Sequence, residues 1–177
     1  MSLCRLLQGL ILSAIAILLA PLAAQGQFSE GTLIISVIGD GLTPLDNSAH
    51  RISLTEFLQN GIATGRSVIL PDDSSDALTD SGSARSSGHL QSSPDGSQLF
   101  VTGFRAAKGT QKINSSTSES IARALIGIRR DGSVVPHFEV KDRFSGEGIR
   151  SVTSHPATGI FIAAPSGLVR ADTTSSP

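Results

Sequence analysis

The chain has 177 residues, of which 39% are hydrophobic and 16% charged, and its formal net charge at pH 7 is -1. A near-neutral chain with no run of lysines and arginines lacks a basic face for a phosphate backbone, which argues against nucleic acid as a partner. Tryptophan and tyrosine are absent, and this removes the flat side chains that most often stack on bases and sugars.

The first 26 residues are predicted to be a cleavable secretory signal peptide. Arg5 gives a positive start, and an apolar stretch runs from Leu10 to Ala20. Small residues at Ala24 and Gly26 stand three and one positions before a cut ahead of Gln27, and a cut after Ala24 is the alternative. The apolar stretch is shorter than the roughly 20 residues of a spanning helix. The sequence therefore predicts a secreted, extracellular or periplasmic protein with no stable membrane anchor after cleavage.

The only cysteine, Cys4, lies in this leader. It precedes the apolar stretch, whereas a lipoprotein anchor would need a cysteine at the cleavage point. The mature chain is therefore predicted to contain no disulfide, no thiolate nucleophile and no cysteine metal ligand. Its length is about that of one average domain.

The first part of the mature chain has the pattern of short strands separated by turns. Thr32–Ile38 is β-branched and apolar, which predicts a buried strand. Arg51–Phe57 alternates polar and apolar residues, and Asn60-Gly61 marks a turn before a strand at Ser67–Pro71. Asp72–Gly88 is rich in Ser, Asp and Gly, and it is predicted to be a surface loop that buries nothing.

The strand pattern resumes after this loop. His89-Leu90-Gln91 leads into a turn at Ser93-Pro94-Asp95-Gly96, and Gln98–Thr102 is the strand that follows. Ala106–Glu119 is predicted to be a second polar loop.

Asp131-Gly132 is the strongest hairpin signal in the chain. Predicted strands at Ala122–Ile128 and Ser133–Val140 flank it. Ser120–Ile128 is also compatible with the start of a helix, but the hairpin turn requires a strand before it, so a strand is the prediction.

The order of these pieces repeats. Ser93–Thr102 has an echo in His155–Ala163, about 62 positions later, and Asn60-Gly61 with its following strand returns as Asp131-Gly132. A unit of four strands with a period of about 60 to 70 residues suggests propeller blades, each a four-stranded antiparallel sheet. If the repeats are aligned in this way, the chain contains the later strands of one blade, a whole blade at about Gly88–Val140, and the opening strands of a third.

The predicted fold is therefore all-β, a partial β-propeller of about two blades over residues 27–170. A signal-peptide helix precedes it, and residues 171–177 are predicted to be a disordered tail. A closed propeller has at least four blades. The chain is then either the N-terminal part of a longer protein or a small open sandwich, and we expect the former because an open stack exposes its strand edges.

The turn Ser93-Pro94-Asp95-Gly96 with Gln98–Val101 resembles the blade turn of secreted bacterial β-propellers of the lactonase-like and WD40-like type. A group of uncharacterised exported propeller-like proteins has segments similar to Ile34–Gly39, Ile52–Phe57 and Gly82–Gly88. The resemblance spans most of Phe28 to Arg170 and departs at Ser87, where that group has an acidic residue. It implies a propeller fold and export, and it implies no activity.

The sequence contains no nucleophile elbow, no phosphate-binding loop with Lys-Ser/Thr and no His-Glu-x-x-His helix. Its four histidines are well separated: His50, His89, His137 and His155. A histidine beside a strand or a turn proline is usually a hydrogen-bonded structural residue. His89 is the best candidate for a metal ligand, because it stands at a strand start facing the polar loop.

Acidic residues supply the other candidate ligands. Asp72 and Asp76 belong to an oxygen-rich run of the kind that holds calcium, and Asp80 follows it, but the spacing does not match an EF-hand loop and a solvated loop is the simpler interpretation. Glu147 stands between two glycines and next to Arg143 and Arg150. This corner could bind an anion, act as a catalytic acid or ligate a metal, and surface charge pairing is the plainer account.

Asn114-Ser115-Ser116 fits a glycosylation acceptor in an exposed loop, which matters in a host that glycosylates secreted proteins.

Two function classes follow. The first is a non-catalytic extracellular or periplasmic scaffold or binding module without a cofactor, which binds a protein or polymer through Asp72–Gly88 and Ala106–Glu119. The second is a metal-dependent lactonase-like hydrolase, holding a divalent cation such as calcium in a site completed by blades beyond this chain. The first is the expectation, because it requires nothing that the sequence lacks.

Overall fold

The computed structural model describes residues 28–171. These residues form antiparallel β-sheets and one 3-10 turn, which confirms the predicted all-β class, and neither sheet closes on itself. The predicted signal peptide, Cys4, the cut ahead of Gln27 and residues 172–177 lie outside the described range. Ala171, assigned to the tail, instead ends the last strand. Between residues 28 and 171 no helix has the length and apolarity needed to cross a membrane.

The larger sheet contains eight strands and the smaller one three. The strands of the larger sheet are β1 Leu33–Ile38, β2 Ala49–Phe57, β3 Ala63–Ile69, β4 Thr79–Ser81, β5 Leu90–Ser92, β6 Gln98–Phe104, β7 Arg123–Arg129 and β8 Val134–Val140. Those of the smaller sheet are β9 Ser151–His155, β10 Gly159–Ala164 and β11 Gly167–Ala171. The 3-10 turn η1, Ile113–Ser115, lies between β6 and β7.

The larger sheet has two halves joined by the short strand β4. In the first half, β2 pairs with both β1 and β3. In the second half, β5, β6, β7 and β8 pair in sequence order and form a four-stranded antiparallel meander. β4 pairs with the start of β2 and, at Thr79 opposite Phe104, with the end of β6. The sheet thereby runs from one half into the other.

Strands β6 and β7 form the middle layer of the molecule. Neighbouring side chains of a strand point to opposite faces. Val101 and Ile126 therefore pack with the inward residues of β2 and β3, while Leu125 packs with Val152 and Ile160 of the smaller sheet. A strand that is covered on both faces has to be almost continuously apolar. This explains why every residue of β7 except Arg129 is buried.

The predicted hairpin at Asp131-Gly132 is confirmed. The Arg129 N–H donates a hydrogen bond to the Ser133 carbonyl at 2.9 Å, and Gly132 has φ 82°, a left-handed conformation that glycine adopts without strain. The segment before the turn is the strand β7 and not a helix.

The turn at Ser93–Gly96 is confirmed as well, with Ser93 N–H donating to Gln98 O at 2.9 Å. Its predicted echo forms the β9–β10 hairpin, in which the Thr158 N–H donates to His155 O at 3.2 Å.

The prediction that Thr32–Ile38 is a buried strand is wrong for one of its faces. Leu33, Ile35 and Val37 are 50%, 46% and 39% exposed, while Ile34 and Ile38 pack against the core. The reason is that β1 packs against the second half of the sheet with one face only, and its other face stays exposed. A β-branched apolar run predicts a strand, but it does not say how many of the strand's faces are covered.

The prediction that Asp72–Gly88 buries nothing is also wrong. Ala77, Leu78 and all of β4 are at most 1% exposed. Most of their side-chain oxygens are hydrogen-bonded within the fold, as when Thr79 Oγ1 donates to Ala106 O at 2.8 Å, and polar residues can be buried on these terms. In the second predicted loop, Ala106–Glu119, Ile113 of η1 is likewise fully buried.

Candidate functional site

The two predicted loops meet at one polar cleft of about 230 Å³. Residues 83–87 of the first loop form one wall, and Asn114 of the second loop forms another. Residues 146–148, together with Arg150 and Pro165, complete the lining. Polar residues of separate segments converge at this cleft, which is the usual arrangement of a binding site on a rigid scaffold.

Two arginines of this cleft have no partner for their charge. Within residues 28–171, the Arg85 and Arg150 guanidinium groups form neither an ion pair nor a hydrogen bond. Glu147 also lines the cleft, but its carboxylate accepts hydrogen bonds from the Ser166 hydroxyl and, at 3.2 Å, from the Ser166 N–H. The two cationic groups are therefore open to a ligand, and they outnumber the single carboxylate of the lining, whose hydrogen bonds come from the neutral Ser166.

Arg123 anchors Glu147, which lines the cleft, and Ser116, which is two residues from the lining residue Asn114. It is fully buried on β7, where its Nε donates to Glu147 O at 2.8 Å and its two terminal nitrogens donate to Ile121 O at 2.7 Å and Ser116 O at 2.8 Å. Its guanidinium carbon lies 4.9 Å from the centre of the Phe104 ring, within cation-π range. Burial lowers the pKa of Arg123, and Glu147 opposes this shift.

Asp80 is a second buried charged residue that sequence analysis placed in a solvated loop. It lies on β4 and is 0% exposed, with Oδ1 accepting the Ser81 N–H at 2.7 Å and Oδ2 without a hydrogen-bond partner. Burial raises the pKa of Asp80 to about 6, and Ser87, the Ser81 N–H and His89 oppose part of that shift. The Ser87 hydroxyl is also buried and lies outside hydrogen-bonding geometry.

A neighbouring cleft of about 350 Å³ shares Arg150 with the first. His89 and Gln91 line it from the start of β5, and Thr102 and Ser151 line it from β6 and β9. The exposed His89 thus lies in a polar groove.

The other predicted metal ligands each make contacts of their own. Asp72 Oδ2 accepts from Arg51 Nε at 2.8 Å, and the exposed Asp76 contacts Arg105 only through its carbonyl oxygen, at 2.7 Å. Glu147 is engaged by Ser166. In the part of the chain that the structure describes, no group of three or more His, Cys, Asp or Glu residues is arranged to hold a metal ion.

The remaining histidines make local contacts where their side chains are described. His50 is buried, with Nε2 at 3.1 Å from Asp46 Oδ1 and 3.3 Å from Ser48 Oγ. His155 Nδ1 accepts from the Ala157 N–H at 3.3 Å. His137 lies on β8. Asn114, the predicted glycosylation acceptor, is half-buried in η1.

The turn Ser93-Pro94-Asp95-Gly96 has a structural role. Asp95 Oδ1 accepts from Ser93 Oγ at 2.6 Å and from the Ser97 N–H at 3.1 Å. These hydrogen bonds lower the pKa of Asp95 to about 2. Together with residues 154–156, the turn also lines an apolar cleft of about 250 Å³.

Comparison with protein-family models, with curated proteins and with solved structures finds no match to this chain.

Proposed function

We propose that this chain is an exported, non-catalytic binding module with β-propeller-like architecture, and that it binds an extracellular polymer at the cleft between its two polar loops. The observation that carries the proposal is the convergence of residues 83–87 and Asn114 on one cleft with segment 146–150. Loops of this kind, placed by a sheet scaffold, are the usual carriers of binding function.

Three features support the propeller-like part. The meander β5–β8 has the four antiparallel strands of a propeller blade and falls within the repeat unit at Gly88–Val140. The hairpins β5–β6 and β9–β10 stand at equivalent positions of the sequence repeat. Finally, β1–β3, β5–β8 and β9–β11 pack face to face in that order, as successive blades do around a propeller axis.

We expect Ser86→Trp to abolish polymer binding, because the indole would fill a cleft of only about 230 Å³. The full chain is to be secreted with its own leader, its N-terminus sequenced, and its retention measured on pectate, dextran and chitin. The expected N-terminus is Gln27, or Gln25 for the alternative cut. Wild type should be retained by at least one polymer, and the variant's retention should fall at least about tenfold.

Ser75→Trp is the matched control, since Ser75 is an exposed residue of the same predicted loop that does not line the cleft. It should bind as wild type does. Equal binding by Ser86→Trp, or retention on none of the polymers, would contradict the proposal. Lactone hydrolysis accompanied by stoichiometric bound metal would instead favour the hydrolase alternative.

A further inference from the structure

We propose that the cleft between the two polar loops is an oxyanion site that takes the carboxylate or sulfate group of an acidic sugar. The inference rests on the proposed function and deepens it, because it names the chemical class of the ligand. It starts from the two arginines that line one cleft without a partner.

The charge of the cleft favours an anion. Arg85 and Arg150 bring two positive charges to one small space, and the single carboxylate there, that of Glu147, is held by Ser166. Two like charges in a cleft repel each other, and a bound anion offsets that repulsion by attracting both. The ion pairs of the described residues include none of Arg85, Glu147 and Arg150. The cleft therefore holds two guanidinium groups against one carboxylate and keeps a positive charge.

The hydrogen-bonding groups also match an oxyanion. A guanidinium presents a planar fork of N–H donors that fits the two oxygens of a carboxylate or sulfate. Ser87 lines the same cleft, and its buried hydroxyl lies near the Asp80 carboxyl without a hydrogen bond of good geometry among the described residues.

Size and lining restrict the ligand further. The cleft, at about 230 Å³, lies below the roughly 300 to 1,000 Å³ of sites for drug-sized ligands, so a single sugar unit suits it better than an extended molecule. Among the residues that the structure describes, no aromatic side chain lines it. Recognition must therefore come from charge and hydrogen bonds instead of stacking, and serine and asparagine side chains suit the hydroxyl groups of a sugar.

The test uses the secreted full chain and three probes: trigalacturonate, its uncharged methyl ester, and inorganic sulfate. The variants are Arg85→Gln and Arg150→Gln, and circular dichroism verifies that they fold. Arg143→Gln is the matched control. Arg143 is an exposed arginine of the neighbouring segment and does not line the cleft, and its substitution removes the same charge. Calorimetry measures the dissociation constants in dilute buffer and again in about 0.5 M NaCl, where exposed charges are screened.

We expect trigalacturonate to bind at least about tenfold more tightly than its methyl ester, and each cleft variant to weaken that binding by at least about tenfold. Arg143→Gln should change it by less than about twofold. Binding of sulfate with the same arginine dependence, but not of trigalacturonate, would also support the oxyanion site and would identify sulfate as the group recognised.

Equal binding of the acid and the ester, equal binding by the cleft variants and Arg143→Gln, or binding of neither anion would overturn the inference. The proposed function can survive that result. A neutral polymer that is retained by wild type and lost in Ser86→Trp would sustain the binding module while excluding the anionic ligand.

Discussion

Arg123→Met is expected to lower the free energy of unfolding by about 4 kcal/mol. The guanidinium donates to the carbonyl oxygens of Glu147, Ile121 and Ser116. Methionine leaves the Glu147 and Ile121 oxygens without this donor, whereas Ser116 O keeps its hydrogen bond from the Gly146 N–H at 2.9 Å. Each acceptor left unsatisfied in a buried place costs about 1 to 3 kcal/mol, and the cation-π contact with Phe104 is lost as well. Urea unfolding followed by circular dichroism measures the change.

Arg129→Met is the control for Arg123→Met, since Arg129 lies at the exposed end of the same strand. It should change the free energy of unfolding by at most about 0.5 kcal/mol. Arg123→Lys keeps the charge but loses the planar fork, and it should fall between the two. If Arg123→Met unfolds within about 1 kcal/mol of wild type, these hydrogen bonds do not hold the cleft walls in the way described.

Asp80→Asn should remove a loss of stability that wild type suffers as the pH rises. The pKa of Asp80 is raised from 3.8 to about 6 by burial, so the folded state binds this proton more tightly than the unfolded state does. The stabilisation from the neutral carboxyl is fully present below pH 3.8 and is lost as the pH rises through about 6. Over the whole range the loss is about 3 kcal/mol.

The measurement is the free energy of unfolding of both proteins at several pH values. Between about pH 4.5 and pH 7, Asp80→Asn should gain about 2 kcal/mol relative to wild type. Asp95→Asn is the control, since the pKa of Asp95 is lowered from 3.8 to about 2 and its titration ends below this window. A constant difference between Asp80→Asn and wild type would mean that Asp80 ionises in the folded state as readily as in the unfolded chain.

Turn chemistry made much of the fold predictable. Asp131-Gly132 and Ser93-Pro94-Asp95-Gly96 require particular backbone conformations, and those conformations placed the hairpins and decided strand against helix for β7. Burial was harder to predict. The strand β4 consists of Thr79, Asp80 and Ser81, all buried. Composition cannot reveal that a distant carbonyl, that of Ala106, accepts from Thr79, or that pairing with β2 and β6 carries this polar strand into the interior.

The candidate site was predictable only in pieces. The two loops and the arginine next to Glu147 were visible in the sequence, but their convergence depends on long-range pairing through β4. Arg123 was missed, although one signal was available: an arginine followed directly by the apolar run Ala124–Ile128 is a charge in a stretch that is otherwise fit for a core. Such a residue is either misplaced or held by specific acceptors.

The strand β8 has a bearing on self-association. It is the last strand of the larger sheet, where an exposed edge offers a template to the strands of other molecules. Pro136 has no N–H to offer, and the register of β8 against β7 shifts at Ile126, which pairs with Pro136. An edge interrupted in this way resists strand addition and therefore aggregation. The strands that follow β8 pack onto a face of this sheet and do not pair with β8. The interrupted strand β8 therefore remains the edge of the sheet.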